Sequence, residues 1–400
     1  MVLQRHGDRG QTVLAFSVDD VAYLCSAEGT QALEVVAGYR LTDTTLVSEI
    51  ASARSTFGDR AAILVETVQL RRKAVAKFAD PSGWLFTADA LQQATAAPVA
   101  AHRARRLSGA VVHDATCSIG SELVALRDWA GYVVGSDIDP VRLAMARHNV
   151  AGVDLCRADA LRPVTRDSVV VLDPARRSAG RRRFDPRDYT PALDALLAVY
   201  GDRDFVVKTA PGIDFGELGR MGFAGEIEVT SLAGSVREAC LWSPGLAAQG
   251  VTRRATMLDG PEDITDAEPG DCPVAPVGRW IVDPDGAVVR AGLVRHYAAR
   301  HGLWQLDPDI AYLSGDRLPD GVRGFEVLEE LAFSERRLRQ ALSSRDVGAV
   351  EILVRGVDVD PDTLRQRLRL RGSEHVAVVI ARIGSGPASR ATAFICRPSR

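Results

Sequence analysis

The feature of this 400-residue chain that most restricts its fold is a regular alternation of β-rich runs and helical stretches from about residue 109 onward. The runs GAVVHD, GYVVGSD, SVVVLD and DFVVK are each followed by a segment with helical spacing of its apolar residues. Continuous apolar strands separated by helices are typical of a parallel sheet that is covered on both faces. We therefore predict an α/β fold built on an open parallel sheet.

The end of this region departs from the alternation. The strand-like runs GEIEVTS and SVREACLW are separated by little more than LAG. A connection this short cannot hold a crossover helix, so it predicts an antiparallel hairpin. The expected sheet is parallel through its centre and ends with an antiparallel strand.

The N-terminal region, residues 1–108, is predicted to be mainly helical. The run AAILVETVQL suggests one short buried strand within it, because it is almost continuously apolar. Thr87 is placed to cap a following helix, and Pro98 is expected to kink or restart that helix.

The C-terminal region is predicted to hold two further parts. Residues 246–324 begin with a linker rich in Pro, Gly and Asp and continue with a hairpin that turns at residues 285–286. Residues 325–400 alternate strands and helices and finish with two adjacent strands, as in a small α+β module. The predicted domains are therefore 1–108, 109–245, 246–324 and 325–400.

Composition excludes several classes of protein. No apolar run approaches the roughly 20 residues that cross a bilayer, and no apolar stretch follows the charged start MVLQRHGDRG, so neither a membrane span nor a signal peptide is expected. The six cysteines show no CxxC and no Cys/His spacing, so neither disulfides nor a metal site is predicted. The cytoplasm is the expected location, and the net charge of −3 does not by itself indicate nucleic acid.

Five consecutive strand ends in the central region present a polar or charged side chain. Open parallel sheets bind ligands at the carboxyl ends of their strands, because these ends and the following helix N-termini open onto one crevice. We therefore expect the five side chains to face one cleft. They are Asp114, Asp137, Asp159, Asp173 and Lys208.

These residues suit a nucleoside that carries a positively charged amino-acid tail. The turn after Asp114 is built from small residues, which allows the backbone to approach a ligand closely. Asp137 is spaced to accept hydrogen bonds from two ribose hydroxyls, and Asp159 can accept from an adenine amino group with the Ala160 backbone beside it. Helix capping or an ordinary turn is the competing interpretation for each of these aspartates.

A dinucleotide is a poorer fit to the same turn. Dinucleotide-binding sheets use GxGxxG and place a pyrophosphate at the helix N-terminus. Here two of those glycines are missing, and Asp114 and Glu122 bracket the turn. Carboxylates repel a pyrophosphate, whereas they suit an ammonium and a sulfonium.

Residues 85–245 resemble the class I S-adenosylmethionine-dependent methyltransferases. DATCSIGSE is similar to the first motif of that family, SDIDPVRLAMARHN to the second, RADA to the third and LDPAR to the fourth. The resemblance implies a Rossmann-like sheet with an antiparallel last strand and S-adenosyl-L-methionine as the cofactor. The cofactor-binding residues that it implies are Asp114, Thr116, Cys117, Gly120, Asp137, Ile138, Asp159 and Ala160.

The resemblance extends to both flanks. WLFTADALQQATAAPVAAHRA resembles the arm that precedes the domain in trimethylguanosine-synthase-like RNA methyltransferases, and the final 75 residues are similar to a THUMP-like module. This implies methyl transfer to RNA, with an exocyclic amine of guanine as the candidate target. Asp173 and the carbonyl of Pro174 are the expected catalytic groups, because hydrogen-bond acceptors there would localise the lone pair of such an amine.

Three positions depart from the family pattern. Ser118 stands where the middle glycine of the first motif is usual, and Ala175 replaces the second proline of the fourth. Arg176 occupies the position at which an aromatic side chain would stack on a base.

Candidate substrate-binding residues are cations and aromatics near the expected cleft. Arginines at its rim would bind phosphate, and aromatics beside lysines would stack on bases. A solvated loop and core packing are the respective competing interpretations, and Lys208 is expected to contact either a substrate phosphate or a neighbouring carboxylate. The candidates are Arg176, Arg177, Lys208, Trp84, Phe86, Lys73 and Lys77, and these include all three lysines of the chain.

Other functions stay open from the sequence alone. The first is a methyltransferase that acts on a small molecule or a protein. The second is a protein that binds S-adenosylmethionine or RNA without catalysis, and a nicotinamide-dependent oxidoreductase is a distant third. The sequence does not indicate an oligomeric state.

Overall fold

A computed structural model describes residues 15–178, 181–182, 185–260, 262–384 and 386–399. The start MVLQRHGDRG, on which the expectation about a signal peptide rests, lies outside these ranges. The chain divides into two compact units: unit 1 comprises Met1–Thr230 and Arg237–Ala248, and unit 2 comprises Ser231–Val236 and Gln249–Arg400. The division into four domains is finer than this and stays a prediction.

Unit 1 begins with six helices that precede the sheet. Ser17 and Ser26 cap the first two, since each hydroxyl accepts a hydrogen bond from a backbone N–H of the first turn. Thr87 caps the fifth helix as predicted, and Pro98 lies in the first turn of the sixth, where a new helix begins. The helices are α1 (Val18–Leu24), α2 (Ala27–Ala37), α3 (Leu46–Phe57), α4 (Ala61–Ala74), α5 (Ala88–Gln93) and α6 (Ala97–Arg106).

One sequence prediction in this region is wrong. The run AAILVETVQL forms most of helix α4 and not a strand. The buried residues of helix α4 include Ala61, Leu64, Val68 and Ala74, which recur at helical spacing along one side of the helix. A short, almost continuous apolar run does not distinguish a buried strand from a buried helix, and here packing among the N-terminal helices decides the outcome.

The rest of unit 1 is the predicted alternation of strands and helices. Valines of the central strands, such as Val112, Val170 and Val206, are fully buried, as expected for a sheet covered on both faces. The elements are β1 (Val111–Asp114), α7 (Ser121–Trp129), β2 (Tyr132–Asp137), α8 (Pro140–Asn149), β3 (Asp154–Arg157), β4 (Val169–Leu172), β5 (Arg177–Ser178), β6 (Arg181–Arg182), α9 (Leu193–Tyr200), β7 (Phe205–Thr209), α10 (Phe215–Arg220), β8 (Glu226–Leu232) and β9 (Ser235–Trp242).

The strands of unit 1 form a sheet in the order β8-β9-β7-β4-β1-β2-β3. Strands β7, β4, β1, β2 and β3 are parallel, and β9 runs antiparallel to β7. The predicted α/β fold with an antiparallel last strand is therefore confirmed. The strand order reverses between β1 and β4, and a reversal of this kind opens a ligand crevice at the carboxyl ends of the two strands.

Unit 2 contains the remaining elements. Its seven-stranded sheet has the order β13-β14-β12-β15-β18-β17-β16, while β10 and β11 form an antiparallel pair. The elements are β10 (Arg253–Met257), β11 (Glu262–Thr265), β12 (Trp280–Val282), α11 (Gly286–Ala291), α12 (Val294–His301), β13 (Trp304–Asp307), β14 (Ile310–Gly315), β15 (Gly324–Ala332), α13 (Glu335–Ser343), β16 (Val347–Arg355), α14 (Pro361–Leu368), β17 (Glu374–Ile383) and β18 (Arg390–Pro398).

The C-terminal half of unit 2 has the predicted α+β character. Helices α13 and α14 bury their leucines, including Leu338 and Leu364, in one cluster with residues of β16 and β17, including Val350 and Val378. The helical spacing of these leucines therefore supplies the apolar stripe that packs on the sheet.

The predicted hairpin turn at residues 285–286 is wrong. Strand β12 is followed by helix α11, and Asp285 caps this helix by accepting a hydrogen bond from the Ala287 N–H at 2.7 Å. An Asp-Gly pair suits a tight hairpin turn, but Asp is also a strong helix cap. No helix in the described ranges is long and apolar enough to cross a membrane.

Candidate active site

A cavity of about 490 Å³ lies at the carboxyl ends of the parallel strands of unit 1. The side chains that the sequence places at the five strand ends all line it: Asp114, Asp137, Asp159, Asp173 and Lys208. Helix α5 contributes to the wall through Ala90 and Gln93. The sheet topology therefore gathers charged residues from five separate segments into one pocket.

The loop after β1 forms another part of the wall. Thr116 and Cys117 line the cavity, as do Ile138 after β2 and Ala160 beside Asp159. Gly120 does not line it, but it shapes the loop. Its φ of +87° is a left-handed conformation, and a Cβ there would lie 2.7 Å from Cγ2 of Val150.

Asp114 is fully buried at the end of β1. Its Oδ1 accepts a hydrogen bond from the Thr116 N–H at 3.1 Å. Burial, aided by the nearby negative charge of Glu122, raises the pKa of Asp114 to about 8. A cation bound beside Asp114 would stabilise its charged form and displace the proton.

Asp137 organises two loops at once. Its Oδ2 accepts from the Ser118 N–H at 2.9 Å and its Oδ1 from the Asp139 N–H at 2.8 Å. Burial raises the pKa of Asp137. Ser118 adopts a φ of +50°, so the residue that replaces the family glycine keeps a glycine-like backbone, and the Asp137 carboxylate holds its N–H.

Asp159 shapes the turn after β3. Its Oδ1 accepts a hydrogen bond from the Leu161 N–H at 2.9 Å. The neighbouring Ala160 carbonyl accepts from the Tyr200 hydroxyl at 2.7 Å. The part of the cavity lining that follows β3 is therefore held by hydrogen bonds to both Asp159 and Ala160.

Asp173 and Lys208 form a direct ion pair. The Nζ of Lys208 lies 2.6 Å from Oδ2 of Asp173 and also donates to the Thr95 hydroxyl at 2.5 Å. The Asp173 backbone N–H donates to the Thr116 hydroxyl at 2.6 Å. Burial would lower the pKa of Lys208, but the carboxylates of Asp173 and Glu122 outweigh it and the pKa is raised.

Lys208 is fully buried and bonded to Asp173. Of the two contacts expected for it, a substrate phosphate or a neighbouring carboxylate, the structure shows the carboxylate. The sequence analysis missed a residue behind the pair, Arg103 of α6. Its Nε and Nη2 donate to both oxygens of Glu122, at 2.8 and 2.9 Å, and a second carboxylate, Glu238, contacts its Nη1.

No signal in the sequence could have found Arg103. It belongs to a helix that precedes the sheet, and 46 of the 49 Lys and Arg residues in the chain are arginines. Thr95 is equally inconspicuous. Arg103 and Thr95 reach Glu122 and Lys208 only through the packing of the segment that precedes the sheet.

Most of the predicted RNA-contacting residues lie elsewhere. Phe86 is only 1% exposed and packs with Trp84 and Phe78 in the N-terminal core, so the prediction that Phe86 stacks on a base is wrong. Lys77 donates its Nζ to three backbone carbonyls at the end of α5, and this contradicts a role in binding phosphate. Lys73 is exposed at the end of α4.

The segment after Asp173 contains the other two candidates. Ala175 lines the cavity and pairs with Thr190 through two backbone hydrogen bonds of 2.8 and 3.0 Å. Arg176 is half-buried, and its buried Nη1 has no hydrogen-bond partner among the described residues. The backbone of Arg177 lies in β5, whereas its side chain is outside the described part of the chain.

Comparison with known proteins identifies the family. The chain is 69% identical to an uncharacterized S-adenosylmethionine-dependent methyltransferase of Mycobacterium tuberculosis, in both strain CDC 1551 / Oshkosh and strain H37Rv. The match extends over 357 residues, which is 87% of this chain and 100% of the relative. This chain belongs to the S-adenosylmethionine-dependent methyltransferases. It is an enzyme whose cofactor is S-adenosylmethionine, so the oxidoreductase and non-catalytic alternatives are set aside.

Other comparisons bear on the fold and the flanking regions. A crystal structure from Porphyromonas gingivalis W83, named as that of a methyltransferase, aligns with a TM-score of 0.76 over 97% of this chain and 100% of its own, at 18% identity. The THUMP domain-like family matches residues 322–398, as the sequence predicts for the C-terminal module. A domain of unknown function, DUF8688, matches residues 17–74.

The charges of the cavity fit this cofactor. Six carboxyl groups and two cationic side chains are among its lining residues, so the pocket has surplus negative charge. Such a lining favours a ligand with an ammonium and a sulfonium over one with phosphates. Among the described residues, no group of three or more potential ligands is arranged to hold a metal ion.

Proposed function

We propose that this methyltransferase acts on RNA, at an exocyclic amine of a base, with guanine as the candidate. The observation that supports this best is the Asp173 carboxylate at the cavity wall, held from one side by Lys208 at 2.6 Å. An ionised carboxylate at this place accepts a hydrogen bond from a neutral amine and repels an anionic nucleophile.

The cofactor would be held by the residues that the family resemblance implies. Asp137 is assigned to the ribose hydroxyls, and Asp159 with Ala160 to the adenine amino edge. Ile138 exposes 61% of its surface and is assigned to the adenine face. Asp114 is assigned to the ammonium, while Thr116, Cys117 and Gly120 shape the loop beside it. When bound, S-adenosylmethionine supplies an electrophilic methyl group.

Asp173 and Pro174 are assigned to the substrate amine. Because Lys208 engages Oδ2 of Asp173, the other oxygen, Oδ1, is the one that we assign to the amine N–H. The Pro174 carbonyl would accept the second N–H, and the two contacts would direct the nitrogen lone pair toward the methyl group. The amine nitrogen would form a bond to the methyl carbon as the bond between that carbon and the cofactor sulfur breaks, and the electron pair would stay on sulfur, which leaves as a thioether. The nitrogen would lose one proton, which Oδ1 of Asp173 would accept.

RNA as the substrate is supported by the C-terminal region and by Arg176. The THUMP domain-like match covers residues 322–398, and the arm before the sheet resembles that of trimethylguanosine-synthase-like enzymes. Arg176 directly follows the Asp-Pro-Ala segment and could bind a phosphate of the substrate. A cytoplasmic location accompanies this proposal.

The proposal is tested by incubating the full chain with labelled S-adenosylmethionine and fractionated total RNA, protein and metabolites. We expect the label in RNA. Asp173→Asn should reduce the rate by about 100-fold, because a neutral amide accepts no proton, and should change cofactor affinity by less than about threefold. Label only in protein or in metabolites would contradict the RNA assignment, and full activity of Asp173→Asn would contradict the role of the carboxylate.

A small-molecule or protein substrate is the second candidate. It is favoured by one observation: Phe86 and Lys77, which the sequence suggested as RNA contacts, serve the N-terminal core and the end of α5. The same labelling experiment separates the two candidates.

A further inference from the structure

We propose that Arg103 is a positioning residue. By binding the carboxylate of Glu122, it prevents Glu122 from pairing with the Lys208 ammonium and so keeps that ammonium paired with Asp173. The inference rests on the proposed function, in which Asp173 takes up a proton from the substrate amine. Arg103 does not line the cavity, so it would act on the reaction only through the two residues in between.

Two carboxylates compete for one buried ammonium. The Nζ of Lys208 lies 2.6 Å from Oδ2 of Asp173 and 3.9 Å from Oε2 of Glu122. Lys208 and Glu122 are both almost completely buried, whereas the Asp173 side chain is 29% exposed. Because charges attract more strongly away from water, an unpaired Glu122 would draw the ammonium away from the more solvated Asp173.

Arg103 removes that competition. Its guanidinium binds both oxygens of Glu122 in the two-pronged geometry that suits a carboxylate, and its own side chain is 1% exposed. Burial alone would raise the pKa of Glu122, but Arg103 and Lys208 outweigh it, so the pKa is lowered. Glu122 is thus an ionised carboxylate whose two oxygens are already engaged.

The ammonium of Lys208 is oriented by Asp173 and Thr95 together. Thr95 accepts one of its hydrogens at 2.5 Å and Asp173 accepts another at 2.6 Å, so two acceptors fix the position of Nζ. Lys208 of β7 pairs with Asp173 at 2.6 Å and lies 3.9 Å from Glu122 of α7. A change in the Arg103–Glu122 pair therefore reaches Asp173 through Lys208.

The scarcity of lysine makes this arrangement directly observable. The chain contains only Lys73, Lys77 and Lys208, so uniform labelling of lysine side chains with ¹³C gives three Cε resonances. Lys208→Arg identifies the resonance of Lys208. This measurement uses the full chain without cofactor or substrate.

Three variants test the proposal. Arg103→Met removes the guanidinium. Arg103→Met combined with Glu122→Gln removes the guanidinium and the charge that lies 3.9 Å from Lys208, and leaves Glu238, the other carboxylate partner of Arg103, in place. Arg106→Met is the matched control, because Arg106 lies on the same helix and pairs with other carboxylates, Glu226 at 2.8 Å and Glu228 at 2.7 Å. Thermal unfolding establishes that each variant is folded.

We expect Arg103→Met to shift the Lys208 resonance and to lower kcat for RNA methylation by about 100-fold, because the Asp173 carboxylate loses its fixed position. Cofactor affinity should change by less than about threefold. The double variant should return the Lys208 resonance toward its wild-type position. Arg106→Met should leave the Lys208 resonance and kcat unchanged.

An unshifted Lys208 resonance in folded Arg103→Met, a double variant in which this resonance stays shifted, or an equal effect of Arg106→Met would overturn the proposal. If Arg103→Met does not fold, Arg103→Gln provides the same test, since a neutral amide leaves the charge of Glu122 uncompensated and should shift the Lys208 resonance in the same direction. If the wild type methylates no RNA, the proposed substrate is wrong, while the resonances still decide the role of Arg103.

Discussion

The buried carboxyl of Asp114 predicts that cofactor binding depends on pH. Its pKa of about 8 means that the free protein holds a proton there at neutral pH. A cationic ligand beside Asp114 stabilises the charged form and so expels that proton. Raising the pH toward 8 removes the proton in advance, and the affinity for S-adenosylmethionine should therefore increase.

The size of the effect follows from the pKa. If only the ionised form binds the cofactor tightly, affinity rises almost in proportion to the ionised fraction, which gives a gain of about ninefold between pH 6 and pH 7. At pH 6.5 the release should be close to one proton per cofactor bound. The window from pH 6 to 7 is chosen because the ammonium of the cofactor is still charged there.

Isothermal titration calorimetry in buffers with different ionisation enthalpies measures both quantities. Asp114→Asn mimics the protonated carboxyl, so it should abolish the proton release and flatten the pH dependence. Asp128→Asn, which alters an exposed carboxylate on α7 outside the cavity lining, is the control and should behave as the wild type does. Equal affinities at pH 6 and pH 7, or a slope that survives in Asp114→Asn, would refute the reasoning.

Three further predictions concern stability, each measured by urea unfolding at pH 7. Gly120→Ala should lower the free energy of unfolding by about 1–3 kcal/mol, since the new Cβ would press on Val150 at a left-handed backbone position; an unchanged value would contradict this. Phe86→Ala should cost about 3–5 kcal/mol and leave RNA affinity unchanged, with Phe86→Leu as a milder control. Lys77→Met should cost about 1–3 kcal/mol, because the carbonyls at the end of α5 lose a charged donor, whereas Lys73→Met should be neutral.

The part of the site that follows from local sequence was predictable. Asp114 and Asp173 directly end two apolar runs, and any parallel arrangement of those runs brings the residues after them to one edge. The order of the strands did not have to be known for this inference. The alternation of strand and helix was sufficient, and the cavity lining agrees with it.

The part that depends on packing was not predictable. Arg103 and Glu122 meet because α6 and α7 pack side by side, and Lys208 reaches Thr95 across more than one hundred residues of sequence. Neither contact has a local pattern. The error on AAILVETVQL has the same origin, since its neighbours in space and not its own spacing decide between strand and helix.

Residues Ser231–Val236 belong to unit 2 although they lie in sequence between two segments of unit 1, and this has a practical consequence. The polypeptide passes from one unit to the other at three points, close to residues 230, 236 and 248. No single stop codon or fusion point can yield both units whole. A truncated gene that encodes unit 1 alone must therefore keep these six residues or replace them with a linker. An exchange of unit 2 between homologues must replace two separate stretches of coding sequence.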